Sequence, residues 1–154
     1  MTAIFGQSRP TWCTSLRRLR IEAATALEVV REARAAAPLE TVGLLSGQEL
    51  RIATRCHPLP NVATDATCRF LADPHAQFVA EQEIAAAGEY IVAIYHSHPN
   101  GDAGFSEIDK HFSSRWDCVH LVVGLSGGVQ VRAYERDPLD DLVEVTVEIG
   151  AESR

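Results

Sequence analysis

A chain of 154 residues with 46% hydrophobic and 23% charged side chains has the size and balance of one folded domain, which excludes collagen-like and largely disordered classes. Fourteen Lys and Arg against twenty-one Asp and Glu leave a net charge of −7, which argues against nucleic acid held on a broad basic surface. The longest apolar runs, such as residues 90–95, fall far short of the ~20 residues of a membrane span, so no membrane partner is expected.

Residues 1–17 contain Gly6 and Pro10 without periodicity and read as an N-terminal arm to a domain spanning 18–150. The arm has no charged start followed by an apolar block, so the expected compartment is the cytoplasm. RLRIE at 18–22 predicts a short strand. EAATALEVVREARAAA follows with Ala26, Val29, Val30 and Ala33 at helical spacing, and Pro38 ends that helix. TVGLLSG (41–47) and LRIATR (50–55) are apolar or β-branched runs around a polar turn and predict a hairpin. Residues 56–70, with two prolines, Asn61 and Asp65, predict a long surface loop.

Asp73-Pro74 offers a cap and a first-turn proline, and Gly88 a terminating glycine, for a helix over 74–87. YIVAIYH (90–96) has the unbroken apolar character of a strand covered on both faces. Ser106 opens a helix to about 115. HLVVG and VQVRAY around SGG predict a second hairpin, and Val143, Val145, Val147 and Ile149 alternate with polar residues as in a half-exposed strand. This order implies a mixed α/β sheet with helices packed on it. Cys13, Cys56, Cys68 and Cys118 stand far apart, so neither a Cys-rich metal site nor a disulfide framework is expected.

The chemistry concentrates in HSHPNGDAGFSEID, residues 96–109. On a strand, residues i and i+2 share a face, so His96 and His98 can reach one ion while Ser97 points away. Pro99 stops the strand and a glycine-containing loop turns the chain back, letting Asp109 in the next helix approach that face. Two imidazoles and one carboxylate leave a tetrahedral zinc one open position, as in catalytic sites. Amide hydrolysis also needs a group that takes and returns a proton, and Glu40, just before an apolar strand of the same sheet, is the candidate. Ser106 can donate its hydroxyl to a developing oxyanion. Each residue also has a plainer reading. S-x-x-D at a helix start resembles a capping box, Glu40 alone could be a solvated acid, and His57, His75, His111 and His120 are treated as ordinary.

Glu40, His96-Ser97-His98-Pro99 and Ser106-x-x-Asp109 together resemble the JAMM (MPN-plus, JAB) zinc metalloproteases of the bacterial stand-alone type, and ETVGLLSG resembles the strand that carries their glutamate. The likeness spans roughly residues 18–135 and departs at Phe105, where members often have proline. It implies a cytidine-deaminase-like α/β/α sandwich with a mixed central sheet, one catalytic zinc on His96, His98 and Asp109, Glu40 as general base and then acid, and Ser106 steadying the tetrahedral intermediate. It further implies an (iso)peptidase that cleaves after the C-terminal glycine of a ubiquitin-like protein, sulfur carriers included, by deconjugation or precursor processing. Residues 56–69 are the segment available to grip such a partner. The alternatives are a RadC-like JAB domain of uncertain activity and a non-catalytic MPN scaffold module. ETVGLLSG and His-Ser-His favour the peptidase branch over the first, and the full ligand set favours it over the second.

Overall fold

Leu19 and Ile21, fully buried between exposed arginines, make β1 (Arg18–Glu22) a strand with one covered face in the computed structural model, which describes residues 17–113 and 117–151. Of the expected N-terminal arm, residues 1–16 lie outside the described residues, and the Arg17 carbonyl already accepts from Thr146 N–H. Helix α1 (Ala23–Ala36) buries Thr25, Val29 and Ala33, with Ala26 and Val30 partly covered, so its stripe lies where the spacing put it. It stops before a cis Ala37–Pro38 bond.

The fully buried β2 (Val42–Gly47) corrects the first expected hairpin. Its antiparallel partner is β4 (Arg55–Leu59), whereas β3 (Ile52–Ala53) runs parallel to β1 at the other end of the strand order. The first residues of the expected loop are therefore strand, and what hid them is Pro58. A proline lacks the N–H a central strand needs, but β4 is the last strand of its sheet, where one side of the ladder is unpaired. The chain reaches β3 by passing close over Gly47, where a Cβ would lie 2.0 Å from the Ile52 carbonyl oxygen.

Helix α2 (Pro74–Ala86) is capped by Asp73, whose carboxylate accepts from Ala76 N–H at 2.8 Å, and Gly88 follows it at φ +70°. The central β5 (Tyr90–His98) continues two residues beyond the expected end. It lies between antiparallel β2 and parallel β6 (Val119–Gly124). A bulge opposite Leu45 and Ser46 leaves Val92 without a partner, so Val92 and Ala93 both pack with the α1 side. From there Tyr95 faces α1, and Ile94 faces α2. Helix α3 (Glu107–Ser113) precedes β6, and β7 (Gln130–Arg136) pairs with β6 as the second hairpin predicted.

Strand β8 (Leu142–Gly150) joins β7 to β1. Val145 is buried as expected, but Ile149 is 56% exposed at the strand's far end. The eight-stranded mixed sheet runs β3-β1-β8-β7-β6-β5-β2-β4. Its two terminal strands are contiguous in the chain, and Thr54 N–H between them donates to the Ser46 carbonyl, so the sheet curls until it nearly closes. Helices on both faces of one mixed sheet match the α/β class read from the sequence. No described helix is long and apolar enough to cross a membrane.

Candidate metal centre and active site

His96 and His98 leave the end of β5 on one face, and α3 brings Asp109 to the same point. The three residues make a triangle whose facing polar atoms lie within hydrogen-bond distance of one another. His96 Nε2 is 3.1 Å from Asp109 Oδ1, His98 Nε2 is 3.2 Å from Asp109 Oδ2, and the two Nε2 atoms are 3.1 Å apart. A tetrahedral zinc with bonds of about 2.0–2.2 Å needs ligands roughly 3.4 Å apart, so this group can hold a divalent ion with little movement. His98 Nδ1 lies 2.8 Å from the Asp102 carbonyl oxygen, which can only accept. Nδ1 therefore carries a hydrogen, so with an ion bound Nε2 would be the nitrogen that offers its lone pair. The His96 ring is held differently, stacked on Phe70 with centroids 4.3 Å apart, while its buried Nδ1 has no hydrogen-bond partner.

The capping reading of Ser106 and Asp109 and the ligand reading are compatible within one arrangement. Asp109 Oδ2 accepts from Ser106 N–H at 2.8 Å and Ser106 Oγ accepts from Asp109 N–H at 3.1 Å, a reciprocal capping box. The box fixes the carboxylate so that its two oxygens address the two histidines. Ser106 is exposed and uses only a lone pair in the box, which leaves its hydroxyl proton outside it. Burial works to raise the Asp109 pKa, but hydrogen bonds from His96, His98 and Ser106 N–H hold it far below the usual carboxylate range. Burial also lowers His96; for His98, Asp109 and the Asp102 carbonyl outweigh burial and raise it.

Glu40 is 6% exposed, and its Oε2 has no hydrogen-bond partner. Burial pushes its pKa up to about 7; His98 works against that shift and Asp109 adds to it, so the acid feels the charges of the ligand group. Two ties hold it there that the sequence reading did not identify. Ser97, expected only to point away from the histidines, accepts at Oγ from Thr41 N–H (2.9 Å) and Thr41 Oγ1 (3.2 Å), locking the start of β2 to the histidine strand. Asn61 Nδ2 donates to the Glu40 and Arg69 carbonyls, both at 2.9 Å, and its Oδ1 accepts from Ala63 and Leu71 N–H, both at 3.0 Å. Ala66 O accepts from Glu40 N–H, so the expected surface loop folds back over this acid. The only sequence signals were a polar residue forced inward between two histidines and an Asn after a proline.

All four hydrogen-bonding positions of the Asn61 amide are used, so Asn61→Ala is expected to lower stability by about 2 kcal/mol, seen as a reduced urea midpoint at unchanged slope. A midpoint equal to the parent's would show that the loop is held by other contacts. Among the remaining histidines, His57 bonds Ser46 Oγ, His75 is exposed, and His120 lies edge-on to Phe105. The side chain of His111 and Cys13 lie outside the described residues. Cys56, Cys68 and Cys118 form no disulfide among the described residues.

A family model described as prokaryotic homologs of the JAB domain matches residues 22–137, most of the chain. The chain belongs to the prokaryotic JAB family. A curated protein of Thermus thermophilus named "Probable TtuB-protein conjugate cleaving protease" is 40% identical over 98 residues, 64% of this chain and 62% of its own length. This chain thus aligns with less than two thirds of that relative. A Haloferax volcanii protein named "Desampylase" is 30% identical over 68% of this chain and 76% of its own length. Among solved structures, a Desulfitobacterium hafniense protein matches with TM-score 0.78 at 24% identity, over 87% of this chain and 94% of that one. A JAB1/MPN domain protein from Archaeoglobus fulgidus matches with TM-score 0.56 at 22% identity, over 84% of this chain and 99% of that one. These two likenesses show a shared fold.

Proposed function

We propose that this JAB domain, over residues 18–150, is a zinc-dependent (iso)peptidase that cleaves after the C-terminal glycine of a ubiquitin-like protein. The observation that carries the reading is the His96, His98 and Asp109 triangle together with a buried Glu40 whose Oε2 has no hydrogen-bond partner and which feels the charges of His98 and Asp109. The relatives named for conjugate cleavage and desampylation support the substrate class. Helices on both faces of the mixed sheet support the cytidine-deaminase-like sandwich, and the free thiols suit the reducing cytoplasm.

His96, His98 and Asp109 would hold the zinc, which when bound supplies Lewis acidity and lowers the pKa of water to ~7. Glu40 takes the proton from the attacking water and returns it to the leaving amine. Ser106 donates its hydroxyl to the oxyanion that forms at the scissile carbonyl. A tail of small residues in extended form suits such a site, because it can lie along a sheet edge and be held through its backbone.

The test pairs metal analysis with intact-mass reading of ubiquitin-like proteins extended past a terminal Gly-Gly. One equivalent of zinc and removal of the extension, stopped by a chelator and restored by zinc, are expected. One equivalent of zinc with every extension intact would overturn the peptidase reading and favour a scaffold module.

A further inference from the structure

The segment between β5 and α3 carries Asp102, whose carbonyl fixes the His98 tautomer, and Ser106 and Asp109, which form the capping box. A long-range side-chain bond pins it. Tyr134 Oη on β7 donates to the Ala103 carbonyl at 2.9 Å across 31 residues of sequence, and both residues are buried. The carbonyls of Asp102 and Ala103 belong to successive planar peptide units joined at the Ala103 Cα, so only the φ and ψ of that fully buried residue separate their directions. The segment has little slack. It lies so close to β6 that a Cβ at Gly124 would stand 2.3 Å from the Asp102 carbonyl carbon and 2.4 Å from Ala103 N.

Tyr134 is itself braced. The Arg132 guanidinium sits 5.6 Å above its ring and is held by two hydrogen bonds to Glu144, at 2.9 and 2.8 Å. The Phe105 ring packs at 5.1 Å on Tyr134 and at 6.4 Å on His96.

We propose that Tyr134 is a positioning residue of the metal centre: through the Ala103 carbonyl, its hydroxyl keeps the Asp102 carbonyl where it holds His98 in the Nδ1–H tautomer, with Nε2 free to bind an ion. The proposal rests on the reading of His96, His98 and Asp109 as metal ligands. A tyrosine that merely filled the core would do so with its ring, and the ring can be kept while the hydroxyl is removed.

Tyr134→Phe removes a single oxygen and leaves the contacts to Phe105 and Arg132 in place. Two quantities decide the matter: the ¹⁵N shifts of the His98 imidazole in metal-free protein, read at a pH above which they no longer change, and the zinc dissociation constant by chelator competition. In the parent, His98 is expected almost wholly as the Nδ1–H tautomer. In Tyr134→Phe the two tautomers are expected to mix, and zinc is expected to bind about tenfold more weakly, at the lower end of the range for loss of a ligand's outer partner. An unchanged tautomer overturns the proposal, even if the variant melts at a lower temperature, because a lost core bond alone would produce that. A parent protein that binds no zinc would instead remove the metal reading, and the tautomer comparison in metal-free protein would still decide whether Tyr134 acts on His98.

Discussion

Glu40→Gln is expected to lower turnover by about a thousandfold or more while the protein still takes up one equivalent of zinc. General acid–base groups contribute about 10²–10⁴ in rate, and Glu40 is the only buried, unpartnered carboxylate near the triangle among the described residues. Glutamine keeps the shape and the backbone ties to Asn61 and Ala66 but cannot carry a proton. The same substitution has a second, opposite effect on stability. The fold raises the Glu40 pKa from an ordinary 4.5 to about 7, so it favours the neutral acid. That stabilisation is fully present below a pH of about 4.5, declines as the pH rises toward 7, and is gone above it. Glutamine resembles the neutral acid at every pH. Metal-free Glu40→Gln should therefore be more stable than the parent at a pH of about 8, by up to about 3 kcal/mol, and equal to it in acid. Urea denaturation in the presence of a chelator measures the difference at both pH values. A fully active variant would refute the proton-transfer role, and equal stability at high pH would show that the acid is not desolvated.

His98→Ala is expected to lose zinc and turnover together. The triangle is reduced to His96 and Asp109, and removing a ligand should cost more than the ~100-fold in affinity that can follow loss of an outer partner. The electrostatics move in a consistent direction. His98 lowers the pKa of both Glu40 and Asp109, so each carboxyl should rise when the imidazole is gone, and a smaller share of Glu40 is ionised at neutral pH. Zinc content after dialysis and the dissociation constant by chelator competition read the first effect, and intact-mass assay of an extended ubiquitin-like tail reads the second. Retention of one tightly held zinc by His98→Ala would remove this residue from the ligand set. The two variants together separate holding the ion from moving the proton, because only one of them is expected to keep the metal.

Residues that act through local geometry were legible in the sequence. The period of two along a strand puts His96 and His98 on one face, and the S-x-x-D spacing at a helix start places Asp109 against Ser106. The capping and ligand readings looked like competitors only because a sequence does not show where each carboxylate oxygen points. In the folded chain one oxygen serves His96, and the other serves both the cap and His98. The amphipathic stripe of α1 and the ends of α2 were legible for the same reason, since each depends on residues a few positions apart.

What the tertiary structure decided lies between residues far apart in the chain. The pairing of β2 with β4 instead of with its nearest neighbour depends on where the sheet ends, because only at an edge does Pro58 leave no ladder bond unmade. Asn61 and Ala66 hold the backbone of the buried Glu40 from a distant segment, and the stacking of Phe70 on His96 comes from that same returning segment. Tyr134 reaches Ala103 only because β7 and the segment after β5 lie against the same strand, β6. Sequence alone determined which groups could perform the chemistry and which of them share a face. The fold determined their surroundings, because desolvation and long-range hydrogen bonds exist only once distant segments exclude water from one another.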